Sequence, residues 1–389
     1  MKSKKFKLFL PIFLILFLLF TSCIFDNNQT LLNYGNDYLL ILNSTGNNVI
    51  AYDLNFKKFI DQPIPVGPQQ NTSYAPQQML LSPDENYIYI INSLDNSVTK
   101  FTKNMYYIGK FNLPTATNPY NGFIDESYMY ISGYVSGKVI KLNLTDGNYT
   151  ESSQLYSLNS GIQAIASINQ DYLITINTNY DLSTYSYSNS IIYILRKDNL
   201  QKVKEFELTS SFIGKPLTNF QQVLVHQESD VIYCDLIATG GYGYSGFADS
   251  GFLRVKIEIN SDNNITLTKI CADTLPIGEY FGAFSQVYMG YLYFISNKAF
   301  YRSPINSSSI NFSSGIEKNS NVNGKTNLSL IYAGGDTSEE SYLVIIDAPW
   351  GTPSSFSISP LNQAFSSISF QNYIEFSGYP VGIILRKGQ

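Results

Sequence analysis

Residues 82–101 read SPDENYIYIINSLDNSVTKF, and their order spells out a β-hairpin. Ser82-Pro83-Asp84-Glu85-Asn86 is a turn, because proline fixes one φ and the Asp and Asn side chains satisfy local backbone donors. Tyr87 to Asn92 is an apolar, aromatic strand. Leu94-Asp95-Asn96 turns the chain, and Ser97 to Phe101 alternates on the return. One strand precedes the hairpin, Gln78 to Leu81, and one follows it, Tyr107 to Leu113, which makes a four-stranded unit.

The same order recurs in units starting at Asp37, Glu126, Gln170, Ser229, Gly290, Glu340 and Asn372. Starts lie about 30 to 60 residues apart, the period of propeller blades. A four-stranded blade cannot bury its two faces alone and must pack on neighbours around a common axis. The composition agrees: Tyr and Phe suit pleated surfaces, Asn and Ser suit the turns between them, and only 14% of residues are charged. The reading is therefore an all-β β-propeller over residues 37–389. Eight hairpin units are counted, the first without a clear inner strand and the last without an outer one. Strands from both termini sharing one blade would reduce eight units to seven blades; eight blades is the next reading, and a two-sheet sandwich is the competing architecture.

The stretch SPDENYIYIINSLDNSVTKF resembles the YVTN β-propeller repeat, whose consensus runs much like S-P-D-G-x-x-L-Y-V-T-N followed by N-x-V-x-x. Asn86 is placed near the usual Gly, and Ile90-Ile91-Asn92 stands for Val-Thr-Asn. The match covers residues 82–101; the other units keep the rhythm without the Ser-Pro-Asp turn. Proteins of this kind include secreted and surface propellers and a lactonase-like group of enzymes, so the resemblance implies the fold more than any activity.

The chain opens MKSKKFKLFLPIFLILFLLFTSC. Four lysines precede an apolar run from Leu8 to Phe20, the length of a secretory signal core rather than of a permanent membrane helix. Phe20-Thr21-Ser22-Cys23 resembles a bacterial lipobox, which implies a signal peptide over 1–22, lipidation of Cys23 and a short tether over 23–36. Ile24, where Asp would signal inner-membrane retention in some diderm bacteria, points to the outer membrane if the cell has one. The expected location is the cell envelope, extracytoplasmic, with the membrane reached through the N-terminal lipid alone. Removing residues 1–22 takes four lysines and no acids, moving the net charge from −5 to −9; nucleic acid, which needs a basic footprint, is not an expected partner.

Chemistry is sparse. The one His, His226, sits on an apolar alternating run, where a structural role is the expectation over a Ser-His-Asp triad. Cys234 and Cys271 fall on strands separated by a third and are expected as buried free thiols, and no ligand spacing for zinc or calcium occurs. The Gly-rich TGGYGYSGFADSG lacks the Lys of a phosphate loop. Asp84, Asp95, Asp181, Asp249, Asp336 and Asp347 lie in or near turns, where Asp is common for backbone reasons. No cofactor or metal is expected, although carboxylates converging in the tunnel of a lactonase-like hydrolase stay open as the alternative. Asn43-Ser44-Thr45 and Asn148-Tyr149-Thr150 match glycosylation sequons, as an Asn- and Ser-rich chain does by chance.

The informative departure is where two hairpins swell, at Thr178–Asn189 and Thr239–Ser250. In a propeller such connections emerge on the face that carries the links between blades, so both belong to one rim of adjacent blades. They carry Tyr180, Tyr185, Tyr187, Tyr242, Tyr244, Phe247 and Asp249 among Gly, Ser and Asn. Tyr gives a large amphipathic contact surface at small entropic cost, the chemistry of recognition loops. The expectation is a monomeric binding or scaffold module for an envelope or extracellular protein or glycan.

Overall fold

Among the described residues thirty-one short strands, with barely a turn of helix between them, form seven four-stranded antiparallel sheets arranged in a ring, one of which carries an extra two-residue strand, Ile64–Pro65, and one further inserted hairpin. The computed structural model describes residues 32–68, 73–156, 161–181, 183–228, 231–241, 248–260, 264–282, 284–335 and 341–388. From the axis outward, blade 2 is Pro76–Leu81, Tyr87–Asn92, Ser97–Thr102 and Tyr107–Asn112, which is the quoted hairpin with its two flanking strands. Blade 3 starts at Pro119–Asp125, blade 4 at Ile162–Ser167, blade 5 at Phe220–Glu228, blade 6 at Gln286–Tyr288 and blade 7 at Leu328–Gly334. Blade 1 joins the two ends of the chain: Pro380–Arg386 is its inner strand and Tyr38–Asn43, Asn48–Asp53 and Lys58–Phe59 complete it. This is the sharing that reduces eight units to seven blades. The last unit is not a hairpin, however. Ile374–Phe376 pairs as the outer strand of blade 7, while Pro380–Arg386 crosses to blade 1.

Each blade interface holds one apolar cluster, and period-2 alternation fills both of its walls. Ile88 and Ile90 of blade 2 pack with Leu40 and Leu42 of blade 1, while Tyr89 and Ile91 pack with Met129 and Ile131 of blade 3. The remaining interfaces follow suit, ending with Leu39 and Ile41 of blade 1 against Val344 and Ile346 of blade 7. The middle strands thus bury both faces, which explains why they read as apolar runs rather than as half-polar alternation.

The free edge of each inner strand faces the axis, where backbone groups lack a fifth strand. Glutamines supply part of what is missing. Gln222 accepts from the Ser285 N–H and donates to its carbonyl, both at 2.6 Å, and Gln286 does the same with Ala333 at 2.8 and 2.9 Å. Gln78 accepts from the Gly122 N–H at 2.6 Å. Each clip joins one blade to the next.

The turn that opens the quoted stretch is built as read, with one correction. Ser82 Oγ accepts from the Tyr87 N–H (2.9 Å) and donates to Asp84 (2.5 Å), and Asp84 also accepts from the Asn86 N–H (3.2 Å). The left-handed residue is Glu85 (φ 57°), not Asn86, so Glu85 holds the consensus glycine slot. Asn96, in the second turn, is also left-handed (φ 48°) and its Oδ1 accepts from the Asn118 N–H in the link to blade 3 (2.8 Å).

Residues 32–36, within the expected tether, lie against the propeller: Leu32 is buried in the cluster between blades 1 and 2, and the carbonyls of Asn33 and Asn36 accept from Arg386 at 3.0 and 2.6 Å. Cys234 and Cys271 are free and sit on strands separated by Gly251–Ile259, as expected; Cys271 is half-buried rather than buried. No helix among the described residues is long and apolar enough to cross a membrane.

Candidate functional site

Antiparallel order gives the ring two unlike faces. Links between blades and turns between the two middle strands emerge on one face, here the top; the other two turns of each blade emerge on the bottom. Both swollen connections are therefore on top, in adjacent blades 4 and 5. In blade 4 the connection forms a small hairpin, Tyr180–Asp181 against Ser186–Tyr187, with the two Tyr rings 4.8 Å apart. Tyr185 turns outward at 68% exposure and a left-handed φ of 54°. In blade 5, Asn219 Nδ2 from the preceding link donates to Thr239 Oγ1 (2.9 Å) and to the Gly240 carbonyl (3.0 Å), fixing the base of the connection. Asp249 closes it, accepting from the Gly241 N–H (2.8 Å) and from the Thr218 hydroxyl. A Cβ added at Gly241 would stand 3.9 Å from the Tyr187 ring, so the two connections meet. The placement of Tyr180, Tyr185, Tyr187 and Asp249 on one rim follows; Tyr242, Tyr244 and Phe247 lie outside the described residues, as do Cys23 and Asp336.

The rim runs inward. Tyr134, in the corresponding turn of blade 3, has its hydroxyl pKa raised by burial first and then by the neighbouring Tyr180, and its ring is 6.0 Å from that of Tyr120. Gly161 makes this approach possible: at φ 84°, a Cβ there would press to 2.5 Å on Thr178 Oγ1 and 3.0 Å on the Tyr134 ring.

Tyr120 borders a funnel of about 350 Å³ at the top mouth of the tunnel. Its other aromatic walls include Tyr280, Phe284, Trp350 and Tyr379, and its amides include Gln77, Asn121 and Gln221. Trp350 is 92% exposed. The Tyr379 N–H is held by Asn43 Oδ1 and Thr45 Oγ1, both at 3.0 Å, which ties the sequon residue Asn43 into buried structure. The wall between blades 6 and 7 is tight because Gly282, whose N–H donates to the Ile295 carbonyl of blade 6, backs onto Ser329 of blade 7; a Cβ at Gly282 would fall 2.2 Å from the Ser329 carbonyl oxygen.

These funnel residues escape a sequence reading because they are dispersed from Gln77 to Tyr379. A weak signal exists in Pro76-Gln77-Gln78, Pro119-Tyr120-Asn121 and Phe220-Gln221-Gln222, each the entry of an inner strand.

The remaining chemistry is structural. His226 Nε2 lies 3.1 Å from Asp235, and Asp235 also takes a two-pronged contact from Arg254, at 2.6 and 2.9 Å, inside blade 5. Burial pulls the Arg254 pKa down most strongly, and the Asp235 carboxylate more than reverses it. Burial pushes the Cys234 thiol far up, which leaves it inert as a nucleophile. Among the described residues no group of three or more His, Cys, Asp or Glu side chains is placed to hold a metal ion.

No family model matches the chain, and no curated protein sequence matches it. Solved structures share its architecture. A hypothetical selenium-binding protein from Sulfolobus tokodaii superposes with a TM-score of 0.60 at 8% identity, over 91% of this chain and 93% of that one. A candidate 6-phosphogluconolactonase from Bacteroides fragilis gives 0.55 at 13%, over 90% and 98%. Virginiamycin B lyase from Staphylococcus aureus gives 0.51 at 13%, over 81% and 94%. At such identities the likeness establishes the propeller fold alone.

Proposed function

We propose that this protein is a lipid-anchored, extracytoplasmic β-propeller of the YVTN-repeat kind that acts as a monomeric binding module, taking a protein or glycan partner on its top face. The observation that carries the reading is the gathering of aromatic side chains there, from the blade 4 rim through Tyr134 and Tyr120 to Trp350. Exposed rings beside adaptable amides suit recognition. A lactonase-like hydrolase is the alternative, and it needs carboxylates converging on the tunnel; among the described residues the funnel walls hold none.

The anchor fits this arrangement. Leu32 donates its N–H to the Asn104 carbonyl in a bottom turn of blade 2, and Asn36 bonds Asp53 at the bottom of blade 1. Leu32 lies nine positions after Cys23, a reach of at most about 30 Å. A lipid on Cys23 would hold the bottom face toward the membrane, the outer membrane in a diderm cell, and open the funnel away from it.

The test has two arms. Wild-type protein should label with radioactive palmitate and partition into detergent, and Cys23→Ala should do neither. Wild-type protein should capture a partner from solubilised envelope, and Trp350→Ala combined with Tyr185→Ser should lose it at an unchanged melting temperature. Full capture by the double variant would remove the top face from consideration.

A further inference from the structure

We infer that the funnel is a site for a neutral carbohydrate, which names a ligand class for the top-face reading and rests on that reading. Among the described residues no Asp, Glu, Lys, Arg or His lines it. An ionic ligand entering the funnel would give up water and meet no opposite charge, an unfavourable exchange. The charges of this chain are spent elsewhere: the groove on the bottom between blades 3 and 4 is walled by Asp125, Lys141, Arg196, Lys197 and Asp198, with Lys197 paired to Asp125 and Arg196 to Asp198 at 3.4 Å.

A purely apolar ligand fits no better: Gln77 Nε2 already donates to Ser93 Oγ (3.2 Å) and Gln221 Nε2 to Asn219 Oδ1 (3.2 Å), but the carbonyl ends of these amides and the Asn121 amide would lose water without gaining partners. The mouth therefore presents polar amides below and aromatic rings around. A sugar ring has the matching pair of surfaces: vicinal hydroxyls for amides, which donate and accept side by side, and an apolar C–H face for Trp350, Tyr280 or Tyr120. At about 350 Å³ the funnel has the size of a small-ligand site. A folded protein partner would need a far broader surface.

The chain contains one Trp, and it stands at this mouth, so its fluorescence reports on the funnel directly. Full-length protein in detergent is titrated with neutral oligosaccharides of glucose (α- and β-linked), mannose, xylose and N-acetylglucosamine, and with the anionic polymers polygalacturonate and heparin. A saturable blue shift of Trp350 emission is expected with at least one neutral series and with neither anion. Asn121→Ala should weaken that binding tenfold or more at an unchanged melting temperature, and Trp350→Ala should weaken it similarly by calorimetry. If no neutral sugar gives a saturable shift, or an anion binds best, the carbohydrate assignment is overturned. Should envelope capture remain sensitive to Trp350→Ala in that case, the top-face reading survives; should capture be insensitive as well, both fall.

Discussion

Glu85 occupies a backbone conformation that costs a residue with a Cβ about 1–2 kcal/mol. Glycine there would remove that cost and lose about 0.4–1 kcal/mol through a freer unfolded chain. Glu85→Gly is therefore expected to stabilise the protein by about 0.5–1 kcal/mol, read as a higher urea midpoint; a lower midpoint would show that the Glu side chain contributes more than its backbone strain costs. The turn around it was legible because Ser82, Pro83 and Asp84 act locally. Which residue goes left-handed was not, since Glu85 and Asn86 are adjacent and Asn is the commoner choice. A second residue, Glu279, links stability to pH. Burial raises its carboxyl pKa most, yet Lys318 (2.6 Å), Tyr301 (2.5 Å) and Ser296 (2.8 Å) together bring it below the ordinary value. A depressed folded pKa means stability that is fully present above the unfolded value, about 4.3, and lost as pH falls through the folded one. Glu279→Gln should cost about 1–3 kcal/mol at pH 7, and the gap from wild type should narrow below pH ~4. Denaturation at both pH values checks it, and a gap that widens in acid contradicts the assignment.

At the scale of the strand, the two-sided burial of Tyr87–Asn92 makes a sharp contrast with the outermost strand of the same blade. Ile90 is fully buried between blades 1 and 2, whereas Ile108 on Tyr107–Asn112 is 45% exposed. Ile90→Ala should cost about 2–5 kcal/mol through lost burial and a cavity, and Ile108→Ala about 0.5 kcal/mol or less. Ile90→Asp should be more damaging still, because it leaves a charge unpaired in that interface. Equal midpoint shifts for the two alanine variants would contradict a blade buried on both sides. Such strands are readable from sequence because their cause is local: alternation along six residues decides which neighbour each side chain meets. The rim was readable for a similar reason, since the position of an insertion between two named strands fixes its face. The funnel was not. Gln77, Tyr120, Gln221, Tyr280, Trp350 and Tyr379 come from six blades or links, and only closure of the ring places them around one mouth. The glutamine clips were hidden likewise, because Gln222 and Ser285 are 63 residues apart.

For the whole molecule, closure depends on the last strand. Pro380–Arg386 pairs with Tyr38–Asn43 along its length, from Tyr38 opposite Arg386 to Asn43 opposite Pro380. Arg386 is itself almost fully buried and reaches across three parts of the chain, donating to the carbonyls of Asn33 and Asn36 and to the Asn104 side chain of blade 2. Removing residues 380–389 would expose the backbone edge of Leu39–Leu42, a fully buried and wholly apolar segment, together with one wall of the cluster shared with blade 7. An unpaired apolar edge of that kind templates association with other chains. The truncated protein is therefore expected to lose its single cooperative unfolding transition and to aggregate. A peptide of residues 378–389 added in trans should restore solubility, since it returns the missing strand without covalent closure. A truncated chain that stays monomeric and unfolds at the wild-type midpoint would mean that six blades and an open edge suffice, and that pairing of the two termini is not what holds this ring shut.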